Sequence, residues 1–342
     1  MKITLNNISD NSFQKWNNFL YSHPHNTVFQ SPEMYSFYEK VRNFTPYAFI
    51  AEDNQGEIVG VLLAVLIKEG KGLKGFFSSR VVVYGGPLIS EDNKKPEVLN
   101  GLLQEMVSAL NKKSIFIQFR NFFEWSDDEK LIFQKSGFSY RERLNLLVDT
   151  KDKKSTWSNI SESRRRQIKK GLRSGAVIED PVNENEVKEF YELLVQLYSS
   201  KVKKPLPGWS FFREFYNHSK KGQLGILKLV KKEGEVIGGI LAPVTTGKEI
   251  YEWYITGLDN LYKSSYPSIL ATWAPIEYAL ENKLKYFDFM GLGLPQKEYG
   301  VRDFKLKFGN GIVNNGRFAR RNNKQLYRLA EIGYNLLRVL KR

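Results

Sequence analysis

The chain has 342 residues, of which 42% are hydrophobic, 14% aromatic and 26% charged. That composition excludes a disordered or collagen-like polymer, and the length suits about two domains. There is no cysteine and there are three histidines, His23, His25 and His218, which excludes disulfides, zinc–thiolate centres, a cysteine nucleophile and a histidine-rich metal site, and leaves little for a Ser-His-Asp triad. The net charge of +15 is concentrated: residues 151–175 hold nine lysines and arginines against two acids, and residues 317–342 hold eight against one. Charge placed this way points to a polyanionic partner.

Met1–Asn6 lacks the basic-then-apolar pattern of a signal peptide, and the longest apolar run, Ile58–Ile67, is too short to span a bilayer. A cytoplasmic protein is expected, with contact at a membrane surface as an extension of that reading. Phe13–Tyr21 then predicts an amphipathic helix. Tyr47–Glu52 and Gly56–Ala64 flank the turn Asp53-Asn54-Gln55-Gly56 and predict a β-hairpin. Glu97–Asn111 predicts a helix by its apolar spacing near 3.6; Ile115–Phe119 and Leu144–Val148 predict strands. The order then recurs. Val187–Tyr198 predicts a helix, Leu224–Val230 and Gly234–Ala242 a hairpin, Ser268–Asn282 a helix and Lys285–Phe289 a strand.

The recurrence extends to the residues. Gly56-Glu57-Ile58-Val59-Gly60-Val61-Leu62-Leu63-Ala64 aligns with Gly234-Glu235-Val236-Ile237-Gly238-Gly239-Ile240-Leu241-Ala242, and Ala109-Leu110 with its strand aligns with Ala279-Leu280 at a constant offset of 170. The expected fold class is therefore mixed α/β, with two domains related by internal duplication, residues 1–150 and 151–317. A C-terminal amphipathic helix (318–342, apolar along Leu326, Leu329, Leu336 and Leu340) is expected to pack on the first domain or to lie on a membrane. Each half looks like a GNAT acyltransferase domain, so the pair reads as that fold in tandem.

Several catalytic engines are absent: no G-x-x-x-x-G-K-[ST], no H-E-x-x-H and no G-x-S-x-G occurs, and Gly291-Leu292-Gly293 lacks the third glycine of a dinucleotide loop. What remains is chemistry of positioned substrates, such as amine attack on an activated acyl group. The most informative stretch is Asp288-Phe289-Met290-Gly291 followed by Tyr299-Gly300-Val301-Arg302-Asp303-Phe304-Lys305-Leu306-Lys307-Phe308-Gly309. Together with Tyr254-Ile255-Thr256-Gly257 and the basic run Ser161–Lys170, it resembles the Fem family (FemA, FemB, FemX). These aminoacyl-tRNA-dependent peptidyltransferases are tandem GNAT-like proteins that attach amino acids to the peptide stem of cell-wall precursors. The resemblance covers nearly the whole chain.

The resemblance implies roles. Lys305, which without the resemblance reads as a solvated lysine on a surface helix, would stabilise the oxyanion of the tetrahedral intermediate, worth ~3–4 kcal/mol of barrier, and its loss is expected to leave the melting temperature nearly unchanged. The Phe304 carbonyl would orient the attacking amine. Asp303 and Asp288 are candidate proton acceptors, equally readable as cap or strand-end carboxylates. Lys40 and Arg42 are the basic residues nearest to where the family binds precursor phosphate. Lys201, Lys203 and Lys204 lie where it carries a phosphate-binding arginine, and read equally as a solvated loop. Arg164, Arg165, Arg166 and Lys169 would contact a polyanion, and Tyr254 and Tyr299 the substrate. No metal and no bound cofactor is expected.

The implied co-substrate is aminoacyl-tRNA, with acyl-CoA acting on an amino sugar as the alternative. The implied partners are tRNA and a lipid- or nucleotide-linked peptidoglycan precursor at the inner membrane surface, without DNA. A non-catalytic polyanion binder on the same fold is the second alternative. Two departures bear on the acceptor: Gln30-Ser31-Pro32-Glu33-Met34 lacks the family's tryptophan, and Phe119-Arg120-Asn121 lacks its aspartate. Two further stretches bear on the donor. Tyr262–Ser268 has no glycine and includes Pro267, while Ile89–Pro96 carries two acids, so neither half offers a good pyrophosphate cradle.

Overall fold

The computed structural model describes residues 1–6, 10–70, 72–92, 94–202, 204–296, 300–323 and 325–328. They form two α/β units, one from Met1–Glu142 together with the chain from Asn315, the other from Arg143–Asn314. The first contains β1 (Lys2–Leu5), α1 (Asp10–Ser22), α2 (Pro32–Lys40), β2 (Phe44–Glu52), β3 (Ile58–Ile67), α3 (Gly72–Phe77), β4 (Arg80–Tyr84), β5 (Leu88–Ile89), α4 (Lys95–Leu110), β6 (Phe116–Arg120), α5 (Asp127–Lys135) and β7 (Ser139–Arg141). The second opens with β8 (Asn145–Asp149), α6 (Lys153–Asn159), α7 (Glu162–Arg173), β9 (Ala176–Glu179), α8 (Glu184–Leu197) and α9 (Trp209–Ser219). It continues through β10 (Gly225–Lys232), β11 (Glu235–Thr245), β12 (Glu249–Tyr251), β13 (Tyr254–Gly257), α10 (Pro267–Glu281), β14 (Tyr286–Asp288), α11 (Gly300–Leu306) and β15 (Gly311–Val313). β16 (Arg317–Arg321) rejoins the first unit.

The duplication is complete at the level of topology. One sheet runs β1-β2-β3-β4-β6-β16-β7 with β5 beside β3; the other runs β9-β10-β11-β12-β14-β8-β15 with β13 beside β11. In each, the predicted hairpin (β2–β3, β10–β11) closes on a glycine at positive φ, Gly56 at +79° and Gly234 at +85°, a conformation that a Cβ would strain. In each, a parallel pair (β4 with β6, β12 with β14) is joined through a crossover helix, α4 or α10. These helices bury their apolar faces on the sheets, α4 through Leu99, Leu102 and Met106, α10 through Leu270, Trp273 and Ile276. Among the described residues no helix is long and apolar enough to cross a membrane.

The domain limits differ from those read in the sequence. β8, expected in the first domain, pairs with β14 and β15, because Leu146 and Val148 pack in the second core. The seam therefore falls between Glu142 and Arg143. At the other end, residues 318–321 are strand where a helix was expected. β16 pairs with β6 and β7, and its buried Phe318 stacks on Phe133 at 3.9 Å. Of the helix placed at 318–342, residues 325–328 are helical, while residue 324 and residues 329–342 lie outside the described residues.

Candidate active site

The second sheet forks where β12 and β14 end. These strands run parallel up to Tyr251 and Asp288, and a last link follows, Glu252 N–H donating to the Asp288 carbonyl at 2.8 Å. Beyond it, β13 stays on β11, while Phe289 continues toward β8, its N–H donating to the Leu146 carbonyl at 3.0 Å. The chain then turns sharply. Met290 takes φ +54° and Gly291 φ +143°, and a non-glycine residue held in the left-handed region is the kind of strain that collects at functional sites.

Lys305, delivered by α11, sits in this fork. Its Nζ donates to the Phe289 carbonyl at 2.8 Å and the Gly291 carbonyl at 3.3 Å on one branch, and pairs with the Glu252 Oε1 at 2.7 Å on the other. An ammonium has three N–H donors, and all three are engaged. The Lys305 side chain is 11% exposed and that of Glu252 9%. The short α11 is held from both sides. Arg302 Nε donates to the Leu292 carbonyl at 3.0 Å and Nη1 to that of Pro295 at 3.3 Å. Across the helix, the Arg164 guanidinium from α7 lies 4.4 Å from the Phe304 ring and 5.6 Å from that of Phe308, a cation–π contact strengthened by desolvation.

Behind the ammonium lies a buried acidic group. Asp288 accepts hydrogen bonds from Asn145 Nδ2 at 2.8 Å and from the Met290 N–H. Burial pushes its carboxyl up to about 7; the Glu249 charge adds to this, and the Asn145 and Met290 hydrogen bonds and Lys305 oppose it. Glu249 is also pushed up by burial, against the pull of Lys248 and the hydrogen bond from the Tyr251 hydroxyl at 2.7 Å. The fork thus assembles an ammonium, the Glu252 carboxylate paired with it and, behind them, a buried carboxyl group poised near neutrality, groups of the kind used in general acid–base chemistry.

Of the residues singled out in the sequence, Lys305, Phe304, Asp288 and Arg164 come together here. Asp303 does not: it is exposed on α11, two residues and so roughly 200° around the helix from Lys305. Arg164 is buried, and its Nε has no hydrogen-bond partner among the described residues. Arg166 is exposed and pairs with Glu162 at 3.2 Å, while Arg165 and Lys169 lie one turn apart on α7, half-buried and exposed respectively. Tyr254 packs among Phe211, Phe212 and Trp253. Lys204 is exposed ahead of α9, and Lys40 and Arg42 are exposed at the end of α2 in the first unit. Lys203 and Tyr299 lie outside the described residues.

Sequence reasoning missed Glu252, Glu249 and Asn145. The available signal was Tyr251-Glu252-Trp253-Tyr254, an acid set among aromatics. The glycine of Tyr254-Ile255-Thr256-Gly257 also has a structural reason: a Cβ on Gly257 would lie 2.3 Å from the Ser268 nitrogen, so β13 reaches the start of α10 only without one.

Residues 159–306 match the family model described as Acetyltransferase (GNAT) domain. That match, together with the same strand order in both sheets, defines an acyltransferase built as two GNAT-like units in tandem. Over most of its length the chain also resembles the Fem proteins. The UDP-N-acetylmuramoylpentapeptide-lysine N(6)-alanyltransferase of Weissella viridescens is 22% identical over 324 residues, covering 88% of this chain and 91% of that protein. The solved structure of FemX matches with a TM-score of 0.71 at 17% identity, over 96% of this chain and 99% of that one. That of L-PGS from Bacillus licheniformis matches with a TM-score of 0.57 at 15% identity, over 94% and 96%.

Proposed function

We propose that this protein transfers an aminoacyl group from aminoacyl-tRNA to an amine of a phosphate-bearing peptidoglycan precursor. The observation that carries the reading is the likeness to the Weissella alanyltransferase through both units, 88% of this chain against 91% of that protein. In this reaction the precursor amine attacks the ester carbonyl of the donor. Lys305 meets the oxyanion, the Phe304 carbonyl orients the amine, and the basic residues of α7 draw the polyanionic donor.

The helix starts support a donor other than acyl-CoA. A CoA pyrophosphate would seek free N–H groups at the N-terminus of α10 or α4. At α10, Pro267 has no donor, and the Ser268 N–H is taken by the Asp259 carboxylate at 3.0 Å. At α4, Asp92 takes the Lys94 N–H at 2.8 Å, and Lys95 pairs with Glu91 and Glu129, each at 2.8 Å. Either start would set a carboxylate against incoming phosphate.

The test is mass spectrometry of UDP-MurNAc-pentapeptide incubated with the purified protein and a charged tRNA pool. The expected product is the precursor heavier by one aminoacyl residue. Acylation of an amino sugar from acetyl-CoA, with micromolar acetyl-CoA binding in calorimetry, would overturn the reading. Aminoacylation of phosphatidylglycerol vesicles in place of the precursor would move the acceptor to a lipid.

A further inference from the structure

The three engaged donors of Lys305 raise a question of chemistry, because an ammonium with no free N–H cannot receive an oxyanion. Two of its acceptors are main-chain carbonyls, of Phe289 and Gly291, fixed by the turn that ends β14. The third, Glu252, is a side chain, and it alone can exchange its partner without moving backbone. We propose that the amine to be acylated docks as its ammonium on Glu252, takes the place of Lys305 there, and gives Glu252 its proton. The displaced N–H of Lys305 then becomes the oxyanion donor.

The proposal rests on the amine acylation proposed for this protein. Glu252 takes one proton from the substrate ammonium. The amine lone pair forms the C–N bond, and the carbonyl π pair moves to oxygen, where the freed Lys305 N–H receives it. On collapse the C=O bond re-forms and the bond to the ribose oxygen breaks. The attacking nitrogen gives its surplus proton to that oxygen, and Glu252 later loses its proton to water and pairs again with Lys305. The other titratable groups of the fork are Asp288 from β14, and Glu249 and Tyr251 from β12. Asp288 is fully buried with its carboxylate engaged by Asn145 and Met290, and Glu249 is engaged by Tyr251, which leaves Glu252, paired with Lys305, as the carboxylate of the fork that an amine replacing Lys305 would meet. The arrangement also couples the two halves of the reaction: oxyanion stabilisation becomes available only once the amine is in place, which protects the activated donor from water.

Glu252→Gln keeps the shape and removes the basicity. Turnover near pH 7 is expected to fall by about 100-fold or more, the usual worth of a positioned base. It should recover by roughly tenfold per pH unit toward the ordinary ~10.4 of a lysine-type acceptor, because the amine must then arrive already neutral. Glu252→Asp should retain the parent's pH profile. A Glu252→Gln profile parallel to the parent's would overturn the proposal. The profile is measured on whichever donor the parent turns over, so transfer from acyl-CoA would sink the tRNA reading while still deciding the role of Glu252. A second readout needs no turnover. In protein labelled with 13Cε-lysine, the Lys305 signal, identified by Lys305→Met, should shift on titration with Nα-acetyl-lysine amide in the parent and stay fixed in Glu252→Gln. An unmoved parent signal would refute docking.

Discussion

Lys305→Met keeps the length of the side chain and removes its charge. The structure turns this into a stability experiment as well as an activity one. In the parent, the ammonium and the Glu252 carboxylate face each other at 2.7 Å with side chains only 11% and 9% exposed, and the same ammonium serves two main-chain carbonyls. Removing one partner of a pair so buried strands the other, at a typical cost of about 3–5 kcal/mol. In a domain of this size each kcal/mol moves the melting point by about 2–4 °C, so the transition of the second unit should fall by roughly 10 °C. This replaces the expectation, drawn from the sequence, that losing Lys305 would spare the melting temperature. Scanning calorimetry on the full chain measures it. The double variant Lys305→Met with Glu252→Gln should regain part of the loss, because its carboxamide carries no charge to strand. A single variant melting within about 2 °C of the parent would show that the pair is not the tie described here.

Two further outcomes follow from the same geometry. The Asp288 carboxyl is raised from its ordinary 3.8 to about 7 in the folded protein, so the folded state binds a proton that the unfolded chain releases between those values. Its contribution to stability is therefore present at low pH and is lost as pH rises through about 7. Melting temperatures compared across that window should show Asp288→Asn with a weaker gain on acidification than the parent, and equal slopes would remove Asp288 as the responsible group. On α7, replacing Arg165 and Lys169 by glutamine should weaken tRNA binding and flatten its salt dependence. Filter binding at several salt concentrations checks this, and an unchanged slope would leave the two residues as solvated surface.

The duplication, both hairpins and both crossover helices were legible in the sequence because each is local: a turn glycine between apolar runs, or a 3.6-residue period. Lys305 was singled out through the resemblance to the Fem family, since alone it reads as a solvated lysine on a surface helix; in the structure the Phe304 and Phe308 rings turn to Arg164 while the lysine turns to the fork. Asp303 shows the limit of that reading, since adjacency in sequence places it on the far side of the helix. Glu252 was hidden for a different reason. Its role depends on which strand lies across the fork, a contact between residues far apart in the chain. The misplacement of β8 has the same origin: a strand that follows β7 closely is expected to pair nearby, and only the burial of Leu146 and Val148 in the other core reveals otherwise.

The exchange of β8 and β16 has a consequence for synthesis on the ribosome. The second unit is one contiguous stretch, Arg143–Asn314, so its sheet can close as soon as that stretch emerges. The first unit is made earlier yet must wait. The edge of β6 takes β16 as its neighbour, and the Asn322 amide that bonds the Ser114 carbonyl at 2.9 Å reaches it across 208 residues. The half translated first is thus completed last, and until then its β6 and β7 present unpaired edges of the kind that recruit other chains. A nascent chain stalled before β16 would carry a finished acyltransferase core behind an unfinished partner.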